Sequence, residues 1–368
     1  MKKFLSMILA LAFVLMLASV PAMAAEIALV TDVGTIDDES FNQSCWQGVE
    51  AFAKANNLSY QYYQPAADST DERLSSIDQA VVDGAKVIVL PGFLFNEAMT
   101  LIAADDMYPD VKFIAVDVNT VDLVLDGEQV ELDENLYCAV FGEEQAGYLA
   151  GYATVKDGYT KLGFLGGMAV PAVQRFGFGF VQGANDAAVE LGTPIEIKYT
   201  YGGQFYGDAN ITAKMDAWYA EGTEIVFACG GGIYTSAVEA AFNYNKYVIG
   251  VDTNQYKNVG VKGVTESGWA YNPFVTSALK GLQAATEAAL AKAFDGTWEE
   301  IGGKMETKNL LAGDFVGLPT DEESWGFKSF TVEEYNKIYE GIKAGEIVVS
   351  DALEAPAVDA NVTVNYID

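Results

Sequence analysis

Histidine is absent from this chain of 368 residues. The absence excludes His-based catalytic triads, histidine general bases and most zinc sites, because imidazole is the side chain that titrates near neutral pH and a common zinc ligand. Catalysis by other residues is still open, but an enzyme becomes the less favoured interpretation. We therefore expect a protein that performs no chemistry and needs no cofactor and no metal.

Cysteine and basic residues are also scarce. Cys45, Cys138 and Cys229 are odd in number and lie in apolar segments, which favours buried free thiols over a disulfide framework. Lys and Arg number 21 against 52 Asp and Glu, giving a formal net charge of −31. Nucleic acid and anionic membranes repel such a chain, so we expect neither as a partner.

A long hydrophobic run occurs only at the amino terminus. Lys2 and Lys3 precede the apolar run 4–20, and Ala22-Met23-Ala24 supplies an A-x-A cleavage site, which predicts a secretory signal peptide over residues 1–24. An uncleaved membrane anchor is the alternative. The mature chain would carry 19 basic against 52 acidic residues, a net charge of −33. The sequence predicts a protein secreted across the cytoplasmic membrane, periplasmic or at the cell surface.

Nine strand-like apolar runs alternate with segments of helical period. They read EIALVTD, LSYQYYQ, KVIVLPG, KFIAVDV, NLYCAVF, KLGFLGG, IEIKYTY, EIVFACG and YVIGVDT. Alternation of this kind predicts an α/β protein with parallel sheets that are covered by helices on both faces. Residues 272–295 are predicted to form one long helix.

The pattern divides into two similar halves of about four βα units each. Together they are too large for a single hydrophobic core of ordinary size. It predicts two doubly wound, Rossmann-like lobes joined by a hinge. The first lobe would hold residues 25–142 plus about 267–315, and the second 143–265 plus about 316–368.

Polar residues and glycines follow the predicted strands. Asp32, Asp117 and Asp252 each end a strand, and glycine turns end three others, including Gly231 and Gly232. Ligands of open α/β sheets bind beyond the carboxyl ends of the strands, where carboxylates accept hydrogen bonds from sugar hydroxyls or base N–H groups. A lone Asp at such a position is more often a helix cap. Three on two lobes favour a ligand cleft.

Two aromatic residues are placed to face this cleft. Phe41 opens the helix of the segment 28–52, next to Asn42, and Phe205 lies in a glycine-rich loop of the second half. One ring from each lobe could sandwich a flat ligand by stacking. The alternative is that either ring packs in the core.

At these residues the chain resembles the basic membrane lipoprotein (BMP) family of ABC-transporter substrate-binding proteins, whose best-understood members bind purine nucleosides. Matching segments run in family order from about Glu26 to Val349. They are TDVGTIDDESFNQSCWQG, FIAVDVN, YCAVFGEEQAGYLAGY, FGFGFVQGAND, GGQFYGD, VFACGGG, VIGVDTNQY and IYEGIKAGEIVV. The resemblance implies the type I periplasmic-binding-protein fold, a monomer, and an ABC permease as partner.

The family pattern also implies roles for individual residues. Phe41 and Phe205 correspond to the ring-stacking aromatics. The positions implied to contact the base or the ribose are Asp32, Asn42, Asp117, Gly231 or Gly232, and Asp252. Members usually carry a Lys in a T-S-x-x-K setting after the last hinge; here we expect that place to be taken by Trp269, Ala270 or Tyr271. The family's lipid-bearing Cys is also missing.

Three functions remain open. The leading one is a two-lobed receptor that closes on a nucleoside-like ligand and delivers it to an ABC importer. The second keeps the fold but binds a sugar, another heterocycle or a signal molecule. The third is a nucleoside hydrolase, since Val30 to Asp38 resembles the Ca²⁺ motif D-x-D-P-G-x-D-D, although the first Asp is Val30.

Overall fold

A computed structural model describes residues 25–367 of the chain. The predicted signal peptide, residues 1–24, lies outside these described residues. Between 25 and 367, none of the helices combines the length and the apolar character needed to cross a bilayer.

The strands form two open sheets, and all nine predicted strands are present in them. The first sheet consists of β1 (Ile27–Val30), β2 (Tyr60–Tyr63), β3 (Val87–Pro91), β4 (Lys112–Val116), β7 (Leu136–Phe141) and β13 (Lys304–Lys308). The second consists of β8 (Lys161–Gly166), β9 (Ile195–Tyr201), β10 (Ile225–Cys229), β11 (Tyr247–Asp252), β12 (Phe274–Lys280), β14 (Val316–Gly317) and β15 (Val362–Tyr366). A two-stranded hairpin is formed by β5 (Val124–Leu125) and β6 (Glu128–Gln129).

Both sheets have the strand order of a doubly wound fold. The order is β13-β7-β4-β3-β1-β2 in the first sheet and β14-β12-β11-β10-β8-β9-β15 in the second. All pairs are parallel except β12 with β14. The predicted α/β class with two doubly wound lobes is confirmed. In such sheets the strand order reverses near the middle, and the carboxyl ends of the strands there line a crevice.

Helices cover the faces of both sheets. They are α1 (Phe41–Asn56), α2 (Thr70–Val82), α3 (Asn96–Asp105), α4 (Glu143–Lys156), α5 (Pro171–Leu191), α6 (Ala209–Ala220), α7 (Tyr234–Tyr244), α8 (Lys262–Glu266), α9 (Leu282–Phe294) and α10 (Val332–Lys343). Short turns of 3₁₀ helix occur at Phe93–Phe95, Thr120–Asp122 and Trp298–Glu300, and a π-helix at Tyr256–Val261. Ser69 caps α2 by accepting a 3.3 Å hydrogen bond from the Glu72 amide.

The single helix predicted over residues 272–295 is wrong. The structure divides this segment into β12 and α9, separated by Gly281. The run from Phe274 to Ser277 contains Val275 and Thr276, whose branched side chains favour a strand, and it is buried between β11 and β14. The apolar pattern is long and continuous, so the change from the period of a strand to the period of a helix is not visible in the sequence.

The chain crosses between the two sheets three times. It passes from β7 to α4 at Gly142, from β12 back to α9 at Gly281, and from β13 to β14 through residues 309–315. The expected boundary near residue 267 placed β12 in the first lobe, whereas β12 pairs with β11 of the second sheet. The return to the first lobe therefore begins after Lys280, where α9 packs against α1.

The second lobe also contains a close helix pair. A Cβ added at Gly147 or Gly151 of α4 would lie 2.1 Å from a backbone oxygen of α5, so only glycine permits this approach. The packing holds Glu143, at the start of α4, beside Arg175 of α5. The three cysteines are buried and free, as predicted.

Candidate functional site

A cleft lies between the carboxyl ends of the two sheets. The space between its walls is about 610 Å³, including the part that is open to solvent. Seven of the nine predicted site residues line it, namely Asp32, Phe41, Asn42, Asp117, Phe205, Gly231 and Asp252. The first lobe supplies four of them and the second supplies three, so the structure brings both predicted walls together.

Asp32 lies at the end of β1 and is held in a fixed orientation. Its Oδ1 atom accepts hydrogen bonds from the Gly34 amide at 2.7 Å and from Asn42 Nδ2 at 2.9 Å. Burial raises the pKa of Asp32 above its usual value, and the two hydrogen bonds oppose this shift. The carboxyl group is therefore a rigid part of the first wall.

Asp38 fixes the start of α1. Its carboxylate accepts hydrogen bonds from the amides of Ser40, Asn42 and Gln43, at 2.9, 3.1 and 3.1 Å. Burial raises its pKa to about 6. This capping interaction orients the first turn of the helix, and with it the ring of Phe41 and the amide of Asn42.

Phe205 reaches the cleft because two glycine turns make room for it. A Cβ at Gly167 would lie 2.4 Å from the Phe205 ring, and one at Gly230 would lie 3.1 Å from it. Gly230 and Gly231 have φ of 143° and 52°, in the region that favours glycine. The turns after β8 and β10 thus form the seat of this ring, and Phe41 lies in the opposite wall.

A buried ion network lies at the end of the cleft nearest the crossings. Lys280 Nζ lies 2.7 and 2.5 Å from the two carboxylate oxygens of Asp117 and 2.8 Å from Glu143 Oε1. Arg175 Nε donates to Glu143 Oε2 at 2.7 Å. The Lys280 ammonium also lies 5.1 Å from the centre of the Phe41 ring, close enough for a cation–π contact.

Burial and charge act against each other in this network. Burial raises the pKa of Asp117 to about 6, even though Lys280 opposes the shift. Burial would also raise the pKa of Glu143, but Lys280 and Arg175 hold it below its usual value. Burial lowers the pKa of Lys280, yet the neighbouring carboxylates raise it above the ordinary lysine value. The lysine and the arginine thus favour the ionised carboxylates, and the carboxylates favour the charged ammonium.

Asp252 connects the two lobes directly. Its Oδ2 atom accepts a 2.6 Å hydrogen bond from Ser40 Oγ of the first lobe. Beside it, Thr253 Oγ1 and Gln255 Nε2 donate to the Glu39 carbonyl at 2.7 and 3.1 Å. Burial raises the pKa of Asp252 to about 7. These three bonds across the cleft describe a closed arrangement of the lobes.

Two predicted site residues lie elsewhere. Gly232 is outside the cavity lining, and its amide donates to the Phe205 carbonyl at 2.8 Å. Placing Trp269 in the cleft is wrong, because its ring packs edge-on against Phe242 at 4.9 Å, over Gly263. Trp269 precedes the amino end of β12, whereas the cleft lies at the carboxyl ends of the strands.

The lysine that sequence reasoning treated as missing is Lys280, the last residue of β12. Residues 276–280 read Thr-Ser-Ala-Leu-Lys, the T-S-x-x-K pattern itself. Assigning residues 272–295 to one helix hides this pattern, because it removes the strand that carries Lys280 to the cleft. Other residues that line the cleft were not predicted, among them Asp38, Phe176, Cys229 and Lys280.

The Ca²⁺ motif of a hydrolase does not assemble at the first strand. Asp37 is exposed and does not line the cleft, and the oxygens of Asp38 are taken by backbone amides. Across residues 25–367 there is no group of three acidic or cysteine side chains placed to hold a metal ion.

Comparison with known proteins places this geometry in a family. Residues 25–352 match the model of the Bmp family, described as ABC transporter substrate-binding protein, PnrA-like. The ABC transporter nucleoside-binding protein BmpA of Lactococcus lactis is 29% identical over 327 residues, covering 85% of this chain and 87% of that protein. Basic membrane protein B of Borreliella burgdorferi is 27% identical over 305 residues, covering 81% and 82%.

A solved structure supports the fold. An ABC transporter solute-binding protein from Aeropyrum pernix superposes with a TM-score of 0.70 over 88% of this chain and 93% of that one. The sequences are 20% identical, so this similarity concerns the fold.

Proposed function

The chain belongs to the Bmp family of PnrA-like ABC transporter substrate-binding proteins, and from this premise we propose that it binds a purine nucleoside in the cleft between Phe41 and Phe205. The ligand would then be delivered to the permease of an ABC importer. Substrate-binding proteins of ABC importers act outside the cytoplasm, in agreement with the signal peptide predicted over residues 1–24. The protein is proposed to act as a monomer and to perform no chemistry.

One observation carries this proposal. Two phenylalanine rings, one from each lobe, line the same cavity as four buried ionised or ionisable groups, Asp32, Asp117, Asp252 and Lys280. A flat heterocycle suits the aromatic part, because its face stacks on such rings. A ribose suits the charged part, because its hydroxyls both donate to carboxylates and accept from an ammonium. A nucleoside joins these two chemistries in one small molecule.

The presence of Lys280 in the cleft supports a nucleoside over the alternative solutes. Loss of the family's lysine would have removed a cation from the polar end of the site and so favoured a different ligand. The ammonium is there, 2.7 Å from Asp117 Oδ1, and it lines the cavity. The BmpA relative from Lactococcus lactis is named a nucleoside-binding protein, which agrees with this proposal.

A thermal-shift panel tests the function. We expect purine nucleosides to raise the melting temperature of the mature chain, because a ligand that binds only the folded state stabilises it by about 2.7 kcal/mol at 100 times its Kd. Free sugars and amino acids serve as controls. Stabilisation by a sugar but by no nucleoside would contradict the proposal, and release of ribose from inosine would contradict the absence of chemistry.

A further inference from the structure

The first wall of the cleft holds a hydrogen-bond acceptor that has no donor. Asn42 is 3% exposed, and its Oδ1 atom is fully buried without a partner anywhere in residues 25–367. Beside it, Asp32 uses Oδ1 for the Gly34 amide and Asn42 Nδ2. The other oxygen, Oδ2, receives no side-chain hydrogen bond within the described chain and faces Gly92, where an added Cβ would lie 3.0 Å away. Buried acceptors without donors are rare in folded proteins, so the unpartnered Asn42 oxygen suggests a ligand contact.

The orientation of the Asn42 amide is fixed by its neighbours. Its Nδ2 atom lies 2.9 Å from Asp32 Oδ1 and 3.5 Å from Asp38 Oδ2. Asp32 Oδ1 already accepts from the Gly34 amide and Asp38 Oδ2 from the Asn42 amide, so both atoms are acceptors; the NH₂ group has to face them and the oxygen has to point away. The unpartnered atom is therefore an acceptor by necessity.

Within residues 25–367, no side chain donates to the Asn42 oxygen. The Asp38 oxygens are occupied by three backbone amides. Lys280, the cation of the cleft, is engaged by Asp117 and Glu143 at the other end of the site. The edge of a ring held between Phe41 and Phe205 thus meets carboxylate and amide oxygens on the first-lobe side.

We propose that this wall selects a nucleoside whose base edge carries two neighbouring N–H donors, so that guanosine binds more tightly than adenosine. The proposal rests on the proposed function and specifies the ligand. Guanine presents N1–H and an adjacent amino group, which match Asp32 Oδ2 and Asn42 Oδ1. Adenine presents an N1 lone pair at the same place. Once water is excluded, that lone pair faces an oxygen acceptor, and adenine offers only its 6-amino group as a donor beside N1 where guanine offers two donor groups.

The test compares guanosine, inosine, 1-methylguanosine and adenosine by isothermal titration calorimetry. We expect guanosine to bind most tightly. Inosine should bind more weakly, because it keeps N1–H but lacks the amino group. Adenosine and 1-methylguanosine, which both lack the N1 donor, should bind roughly 10- to 100-fold more weakly than guanosine, the range expected for a buried polar group left unpaired.

An exchange of acceptor for donor provides the decisive variant. In Asp32→Asn, the new amide oxygen is held by the Gly34 amide and Asn42 Nδ2, so its NH₂ group faces the cleft. Guanosine should then bind at least tenfold more weakly, while adenosine, whose N1 accepts that donor, should bind as well as before or better. The matched control is Asp37→Asn, which removes the same charge from an exposed residue of the same loop that does not line the cavity.

The outcomes separate the two proposals. If adenosine binds the native chain as tightly as guanosine, or Asp32→Asn weakens both ligands equally, the inference about the wall is wrong and the nucleoside function stands. If none of the four nucleosides binds, the proposed function fails and the inference fails with it. Melting curves of the unliganded variants show whether Asp32→Asn is folded.

Discussion

Replacing Lys280 by methionine tests how the cleft keeps its charges buried. The ammonium is 1% exposed and touches Asp117 and Glu143, which are 6% and 0% exposed at their side chains. Methionine keeps the length of the side chain but removes the charge, so Lys280→Met leaves Asp117 as a buried carboxylate without a cation in contact. Breaking a buried ion pair from one side costs about 3–5 kcal/mol.

The expected change in melting temperature follows from chain length. Unfolding entropy is about 2.1 cal/mol/K per residue, so a chain of this size loses roughly 4–7 °C if it unfolds as one cooperative unit. The assay is differential scanning calorimetry of the mature chain at pH 8 without ligand. Lys54→Met is the matched control, because Lys54 pairs with Glu50 on the surface of α1 and should change the melting temperature very little.

A second variant distinguishes the loss of a charge from the loss of packing. In Asp117→Asn with Lys280→Met, no unpaired carboxylate remains at Asp117, and Glu143 keeps its 2.7 Å bond to Arg175. The double variant should therefore recover more than half of the lost stability. The cost of Lys280→Met alone should also shrink at pH 5, where Asp117 can take up a proton. If the double variant is no more stable than the single one, the electrostatic explanation is refuted.

Three further predictions concern binding, closure and pH. Phe205→Ala should weaken guanosine binding roughly 5- to 150-fold, since stacking on one aromatic ring contributes about 1–3 kcal/mol. Calorimetry measures the change in affinity, and an equal loss of affinity in the adjacent Tyr206→Ala variant would argue against stacking. Ser40→Ala removes the 2.6 Å bond to Asp252 and should weaken binding about tenfold by reducing the closed population; an unchanged radius of gyration in small-angle X-ray scattering of the unliganded variant would count against this. The pKa of Asp252 is raised by burial to about 7, so the folded chain holds this proton more tightly than the unfolded chain. Its contribution to stability is complete below about pH 4 and is lost as the pH rises through 7, so the melting temperature should fall between pH 5 and pH 8, and less so in Asp252→Asn.

The sequence was sufficient where a pattern had one structural meaning. The apolar runs that end in Asp32, Asp117 and Asp252 could only be buried strands. Because the carboxyl ends of parallel strands meet at one edge, these three residues had to converge. Phe41 and Phe205 followed from their places after strands, Phe41 at the start of α1 and Phe205 in the loop after β9.

The rest could not be obtained from local patterns. The segment from Phe274 to Phe294 has apolar residues at spacings that suit both a strand and a helix, and only its place between β11 and β14 decides for a strand in its first part. Because of this one ambiguity, the sequence predicts Trp269 instead of Lys280 in the cleft. The contacts of Glu143 and of Ser40 join residues more than 100 positions apart, which no periodicity records.

The ion network lies beside the crossings, and this position sets the order in which the parts of the cleft contact a ligand. Glu143 follows the first crossing and Lys280 precedes the second, so both lie near the pivot and shift little when the lobes swing apart. The centre of the Phe41 ring lies only 5.1 Å from the Lys280 ammonium. Phe205 instead lies over the turns after β10 and β8, two and three strand positions from β12, roughly 10–14 Å along the sheet. An open receptor would thus hold its ligand at the ion network and Phe41 first and clamp it under Phe205 last. Substitutions at the pivot should then slow capture, and those at Phe205 should speed escape.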